Sequence, residues 1–144
     1  MRKNKYGVAP KIARTSRDGI VFASKAELNR WEKLRLWQLA GEIRNLRRQV
    51  KYPLVIEGIH VGDYTPDFVY ERKNFVPMAD PGRAAGSGVL TLKQLEQHIN
   101  PPLIDMGWIE VIEDVKGVMT TDAALRIKVF EVIHKKKVNI VKGK

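Results

Sequence analysis

The apolar positions of this chain fall into alternating blocks of helical and extended spacing. Leu28, Trp31, Leu34, Leu36, Trp37 and Leu39 form a wide stripe at helical spacing. Just ahead of it, Ser24 and Glu27 match a capping box, the serine accepting from an amide and the glutamate reaching back. The pattern predicts a helix from Ser24 to about Ala40, stopped by Gly41. Glu42 to Gln49 (EIRNLRRQ) reads as a basic connection. Val50 to Ile59 reads as a strand, with Pro53 marking an edge or a bulge. Turn residues from Gly58 to Asp63 lead into an extended stretch, Tyr64 to Tyr70, so the two strands predict a hairpin. Residues 109–116 (IEVIEDVK) are again good strand material, ended by Gly117. Thr120-Thr121-Asp122 then predict the cap of a second long helix. Leu125, Val129, Val132 and Ile133 recur along it at helical spacing, as do Ile127, Phe130 and His134, and all are expected in the core. Val138 to Val141 closes the chain as a strand.

Residues 72–108 interrupt this alternation. Ala79 to Gly88 (ADPGRAAGSG) has the composition of a flexible linker. Thr91 to Asn100 predicts a short capped helix with Leu92, Leu95 and Ile99 on one face, halted before Pro101-Pro102. The segment reads either as an inserted helical flap over the neighbouring strands or as a solvent-side loop packing its own helix. The order is then helix, strand, strand, insertion, strand, helix, strand. It predicts an α/β domain over residues 18–144, a mixed β-sheet flanked by helices.

Charge changes the picture more than composition does. Twenty-six Lys and Arg against sixteen Asp and Glu leave a formal net charge of +10, which favours a polyanionic partner, nucleic acid first. Residues 1–17 hold six Lys or Arg and no acid, and read as an arm lying along phosphates. Candidate contacts are Arg2, Lys3, Lys5, Lys11 and Arg14 in the arm, Lys25 at the first helix, and Arg126, Lys128, Lys135 and Lys136 around the second. No apolar run approaches the roughly 20 residues of a spanning helix, and the basic start carries no apolar signal core, so the cytoplasm is expected. The chain has no cysteine, which excludes disulfides and thiolate metal sites. Any metal would take oxygen ligands.

The candidate chemistry sits at two carboxylates. In a strand, Asp114 and Lys116 share one face while Val115 points to the other. Asp67 lies in the preceding extended stretch, among apolar residues. A buried carboxylate costs several kcal/mol unless it is paired or bound to metal. Glu27 has two readings, as a capping residue or as a third carboxylate facing the strands. His60 reads as an exposed turn residue, His98 shows no partner, and Glu113 falls on the face opposite Asp114.

Pro66-Asp67, Asp114-Val115-Lys116 and the helix glutamate Glu27 together resemble the PD-(D/E)xK nuclease superfamily. Further phrases resemble a small phage-encoded family related to Holliday-junction-resolving endonucleases. These are Asn4-Lys5-Tyr6-Gly7, Asp18-Gly19-Ile20 with Phe22, Ser24-Lys25-Ala26-Glu27, Gly41-Glu42-Ile43 with Asn45-Leu46, and Glu113-Asp114-Val115-Lys116-Gly117. The resemblance covers most of the chain but not residues 72–108. It implies a restriction-endonuclease-like core and a magnesium-dependent DNA endonuclease, with manganese as a substitute. Asp67 and Asp114 would be the central metal ligands, the Val115 carbonyl a third, and Glu27 a ligand directly or through water. Lys116 would orient the attacking water and stabilise the charged phosphate. A junction resolvase active in DNA recombination, working as a homodimer on branched DNA inside a bacterial host cell, follows from the closer similarity. Two matched cuts need two sites. A restriction-like or nicking enzyme, and a non-catalytic nucleic-acid-binding module on the same fold, are the rival readings.

Overall fold

The computed structural model describes residues 9–77 and 103–143. Arg2, Lys3 and Lys5, the linker, the expected helix at residues 91–100 and His98 lie outside them. Chain packing divides into two compact units, Met1–Arg72 with Glu110–Lys144, and Lys73–Ile109.

In the first unit, helix α1 spans Lys25–Leu39. Ser24 Oγ accepts from the Glu27 amide at 3.1 Å, and Glu27 Oε2 accepts from the Ala23 amide at 3.3 Å. The capping box forms as expected. Trp31 and Leu34 are buried, while Leu36 is 65% exposed. At 100° per residue Leu36 lies about 140° round the helix from Trp31, beyond the reach of one packed face. The last turn closes at Gly41, where the Glu42 amide bonds the Trp37 carbonyl at 3.0 Å.

The residues expected as a basic connection form strand β1, Ile43–Arg48. Ile43 is buried and Leu46 partly so, but a bulge between Arg44 and Arg47, with Asn45 at φ 53°, breaks the period of two. That broken period hides the strand from the pattern. The hairpin also differs from expectation. It joins β2, Tyr52–Ile56, to β3, Ile59–Tyr64, as a separate antiparallel two-stranded sheet. Its turn is the pair Glu57-Gly58, both at positive φ. That geometry suits a tight two-residue connection, and glycine takes it without strain. The Gly58–Asp63 stretch is therefore mostly strand. Asp67 follows at a bend before β4, Phe68–Pro77.

Strand β5 spans Leu103–Lys116, so both β4 and β5 run into residues expected to belong to the insertion. Helix α2, Thr121–His134, is capped by Thr120, whose Oγ1 accepts from the Ala123 amide at 3.2 Å. Strand β6, Val138–Lys142, pairs parallel with β5, Asp114 opposite Ile140. The four-stranded sheet has the order β1-β4-β5-β6, with β1 antiparallel to β4. The fold is mixed α/β with a mixed sheet. No helix among the described residues is long and apolar enough to cross a membrane.

Strand alternation divides the core in two. Phe68, Tyr70, Val111 and Val115 pack with Phe22, Trp31 and Leu34 on the α1 face. Val69 and Ile112 pack with Leu54, Tyr64, Ile127 and Phe130 on the face of α2 and the hairpin. Leu125 and Val132 do not join them, at 61% and 78% exposed. Only one arc of α2 meets the sheet, and Ile127 and Phe130 occupy its centre.

The segment expected as a free arm is tied down in its second half. Lys11–Arg14 forms a single 3-10 turn, Thr15 bridges Val21, and the Phe22 amide bonds the Arg14 carbonyl at 2.9 Å. In the second unit, Lys73 Nζ lies 5.9 Å from the Trp108 ring centroid.

Replacing Phe130 with alanine should cost about 3–5 kcal/mol, because its ring is fully buried between Tyr64 and Tyr52. Val132→Ser should stay within about 0.5 kcal/mol. Urea denaturation midpoints of the two variants read the difference.

Candidate active site

Backbone placement brings the two aspartates together. Pro66 is fully buried ahead of Asp67 and fixes its own φ, which helps set the bend. The Asp67 carbonyl accepts from the Gln49 amide at 3.2 Å, tying the bend to the end of β1. Its side chain turns the other way, and Oδ2 accepts from the Val115 amide at 2.7 Å. That bond places Asp67 against the D-x-K stretch of β5. The Asp67 and Asp114 carboxyl groups lie within hydrogen-bonding reach of each other.

Asp114 is 2% exposed. Its Oδ2 accepts from the Tyr64 hydroxyl at 3.1 Å. Lys116 Nζ stands 2.9 Å from Oδ1, an ion pair by distance, yet Oδ1 has no donor aligned for a hydrogen bond. The pairing of Asp114 with Lys116 follows the strand alternation, and Val115 packs on the α1 face as that alternation requires.

Burial is the largest influence on Asp67, and together with the facing Asp114 carboxyl it pushes the group up to about 7. The Val115 amide opposes this in part, and the Glu27 charge adds to it. Burial and the Asp114 carboxylate push the Tyr64 hydroxyl well above its ordinary value, so it stays a donor. The site is thus two crowded acids, one lysine and one tyrosine.

Glu27 is close enough to act on Asp67 through its charge, but its oxygens are spent on the cap. Oε2 meets the Ala23 amide, and the Ser24 hydroxyl donates to Oε1 at 3.1 Å. Among the described residues no three acids or histidines gather as a metal-holding group. The chain's last described residue approaches the same corner. A Cβ on Gly143 would meet Ala26 Cβ at 2.8 Å, so only glycine lets β6 end beside the start of α1.

On the opposite face, Glu113 is 3% exposed and fully partnered. Arg30 of α1 grips it with Nε at 2.8 Å and Nη2 at 2.5 Å, and the Tyr70 hydroxyl donates at 2.5 Å. Arg30 also lies over the Trp37 ring at 5.0 Å. Its position opposite Asp114 is readable from alternation, whereas Arg30 and Tyr70 as its partners are not.

The expected phosphate contacts divide. Lys11, Lys25, Lys128 and Lys135 are exposed. Arg126 pairs with Asp122 at 3.3 Å, and Lys136 pairs with Glu110. Lys128 borders an apolar hollow lined by Val55, Ile56, Val129, Val132 and Ile133 rather than a basic stripe. Arg14 spends its guanidinium on the carbonyls of Ala9 and Phe22. His60 is exposed on β3, away from the expected turn, with Nε2 2.9 Å from Asp63.

Comparison of the chain with protein-family models, curated protein sequences and solved structures yields no match.

The raised Asp67 has a consequence for stability in metal-free, chelated buffer. Its folded value, about 7, exceeds the ordinary 3.8, so its contribution is complete below about pH 4. As pH rises towards 7 the unfolded chain binds fewer protons than the folded one, and stability falls. Thermal unfolding of wild type should therefore lose ground to Asp67→Asn between pH 4 and 7. Parallel curves for the two proteins would show that Asp67 is not held in this environment.

Proposed function

We propose that this chain is a magnesium-dependent DNA endonuclease on a restriction-endonuclease-like core, selective for branched DNA and working as a homodimer. The observation that carries the reading is the convergence of half-buried Asp67, at the bend before β4, and buried Asp114 of the adjoining β5, with Lys116 beside them. Two carboxylates this close, one buried and one half-buried, oppose each other's ionisation. A divalent cation relieves that conflict. Asp114 Oδ1, buried without an aligned donor, is an oxygen with coordinating capacity to spare. Magnesium prefers oxygen ligands and keeps several waters, so one or two carboxylates suffice for it.

Asp67 and Asp114 would hold the ion, with the Val115 carbonyl as a further oxygen and Glu27 contributing through water. Magnesium bound there supplies charge neutralisation and a water of lowered pKa. Tyr64 fixes Asp114 by its Oδ2, and the Val115 amide fixes Asp67 by its Oδ2, so the ion would take the other oxygen of each acid, that of Asp114 shared with the Lys116 ammonium. Lys116 orients the attacking water and opposes the charge that grows on the phosphate. The net charge of +10 supports a DNA partner held by its backbone, and no base-reading module is evident in the sequence. Two sites in a dimer supply the matched cuts of a junction resolvase, acting in the cytoplasm of a bacterial host.

A second reading, a nucleic-acid-binding module without catalysis, draws on the commitment of Glu27 to the helix cap. Labelled four-way junction, duplex and flap DNA, incubated with and without magnesium, separate the two. Lys116→Ala should lower the cleavage rate roughly 10²–10⁴-fold, the usual scale for a proton-handling group, with folding and DNA binding kept. Combining it with Asp114→Asn should add little, because residues acting as a unit are not additive. A Lys116→Ala protein that cuts like wild type, or a wild type that cuts nothing, overturns the assignment.

A further inference from the structure

The basic run at 42–49 contains an arginine that the site just described does not use. Arg44 and Arg47 of β1 each meet a carboxylate, Glu71 at 2.5 Å and Glu110 at 3.4 Å. Arg48 meets none among the described residues. Its guanidinium carbon lies 4.2 Å over the Phe22 ring and 5.7 Å from the Trp31 ring centroid. Its Nε is buried and has no hydrogen-bond acceptor. A buried donor left unmade is expensive, and native proteins leave few of them. Stacking on an aromatic face orients the guanidinium but satisfies none of its N–H groups.

The position of Arg48 supplies a reason. It sits opposite Phe68 in the β1–β4 ladder, one residue after Asp67. The next amide, that of Gln49, donates to the Asp67 carbonyl, while Asp67 Oδ2 takes the Val115 amide. The ends of β1 and β5 and the start of β4 therefore meet at one edge of the sheet. The ring on which Arg48 lies, Phe22, is two residues ahead of the Ser24 cap of α1. Arg48 thus stands at the same edge as the two acids, but on the α1 face, opposite the face that Asp114 and Lys116 share. Neither Arg48 nor Gln49 carries a distinguishing motif, which is why the run reads only as basic.

We propose that Arg48 is a phosphate anchor at the edge of the sheet beside this site, its stacked guanidinium taking the oxygens of a DNA phosphodiester next to the one that is cut. A planar guanidinium with one donor unmet and no carboxylate partner among the described residues matches a phosphate group, and the aromatic support holds it in place before DNA arrives. The inference rests on the reading of this edge as a DNA-cleaving site. It adds a binding residue outside the acids and Lys116.

The test uses the full chain and a fluorescently labelled four-way junction and duplex, with Kd measured across a salt series. Arg48→Met keeps the stem over Phe22 and removes the charge and donors. It should weaken binding roughly 10- to 100-fold, the scale of a hydrogen bond to a charged group, and reduce the duplex salt slope by about 0.9. Its melting temperature should not fall, since a buried unmet donor is lost. Where cleavage is followed, KM should rise with kcat changed less. Arg48→Lys should bind between wild type and Arg48→Met, because an ammonium keeps the charge without the fork. An unchanged Kd and salt slope in Arg48→Met overturn the proposal. If Arg48→Met fails to fold, Arg48→Lys decides, and binding equal to wild type overturns it. Asp67→Asn separates the two readings: it should bind like wild type and not cut. If it cuts normally, the catalytic reading falls, while Arg48 is still judged by its own Kd and slope.

Discussion

The hydrogen bond from the Val115 amide to Asp67 Oδ2 is the contact on which the site depends. Strand β5 would otherwise present its acid and lysine without the second carboxylate. Through this bond the bend before β4 is fastened to β5, and half-buried Asp67 is held against buried Asp114 although the two acids repel each other. The cost appears as the raised Asp67. Structures that pay such a cost at a single point commonly do so at functional sites.

The opposite face of β5 shows how the position is kept. Glu113, next to Asp114 in sequence, is gripped by Arg30 of α1 and by Tyr70 of β4. A fully buried carboxylate with a two-point arginine contact is a directional tie, unlike the apolar packing around it. Alternation makes one strand serve both purposes. Glu113 anchors β5 to the α1 layer while Asp114 and Lys116 face the layer of Tyr64.

Much of this was legible in the residues. Ser24 and Glu27 announced the start of α1, and the alternation of Asp114, Val115 and Lys116 assigned their faces. Thr120 marked α2 and the closing strand was visible in Val138 to Val141. What escaped did so for physical reasons. The bulge at Asn45 broke the two-residue period of β1, so a strand passed for a connection. The turn at Glu57-Gly58 relies on a non-glycine residue at positive φ, a weak signal, so the residue pattern puts the hairpin turn several residues too late. Leu36, Leu125 and Val132 were expected inside because spacing alone does not tell how wide a helix face the sheet covers. Arg14 has the charge and position of a phosphate contact, but its guanidinium lies on two backbone carbonyls. Tyr64 and Arg30 gave no signal at all, since partners distant in sequence are fixed only by the fold.

The central claim is that Asp67 and Asp114 form one divalent-cation site. Manganese binding followed by electron paramagnetic resonance at pH 8 tests it without reference to cleavage. Wild type should remove free manganese from solution saturably, magnesium should compete, and Asp67→Asn or Asp114→Asn should weaken binding by on the order of 10-fold or more, as loss of one of two charged ligands requires. Wild-type protein that leaves manganese free, or variants that bind it equally well, would contradict the account.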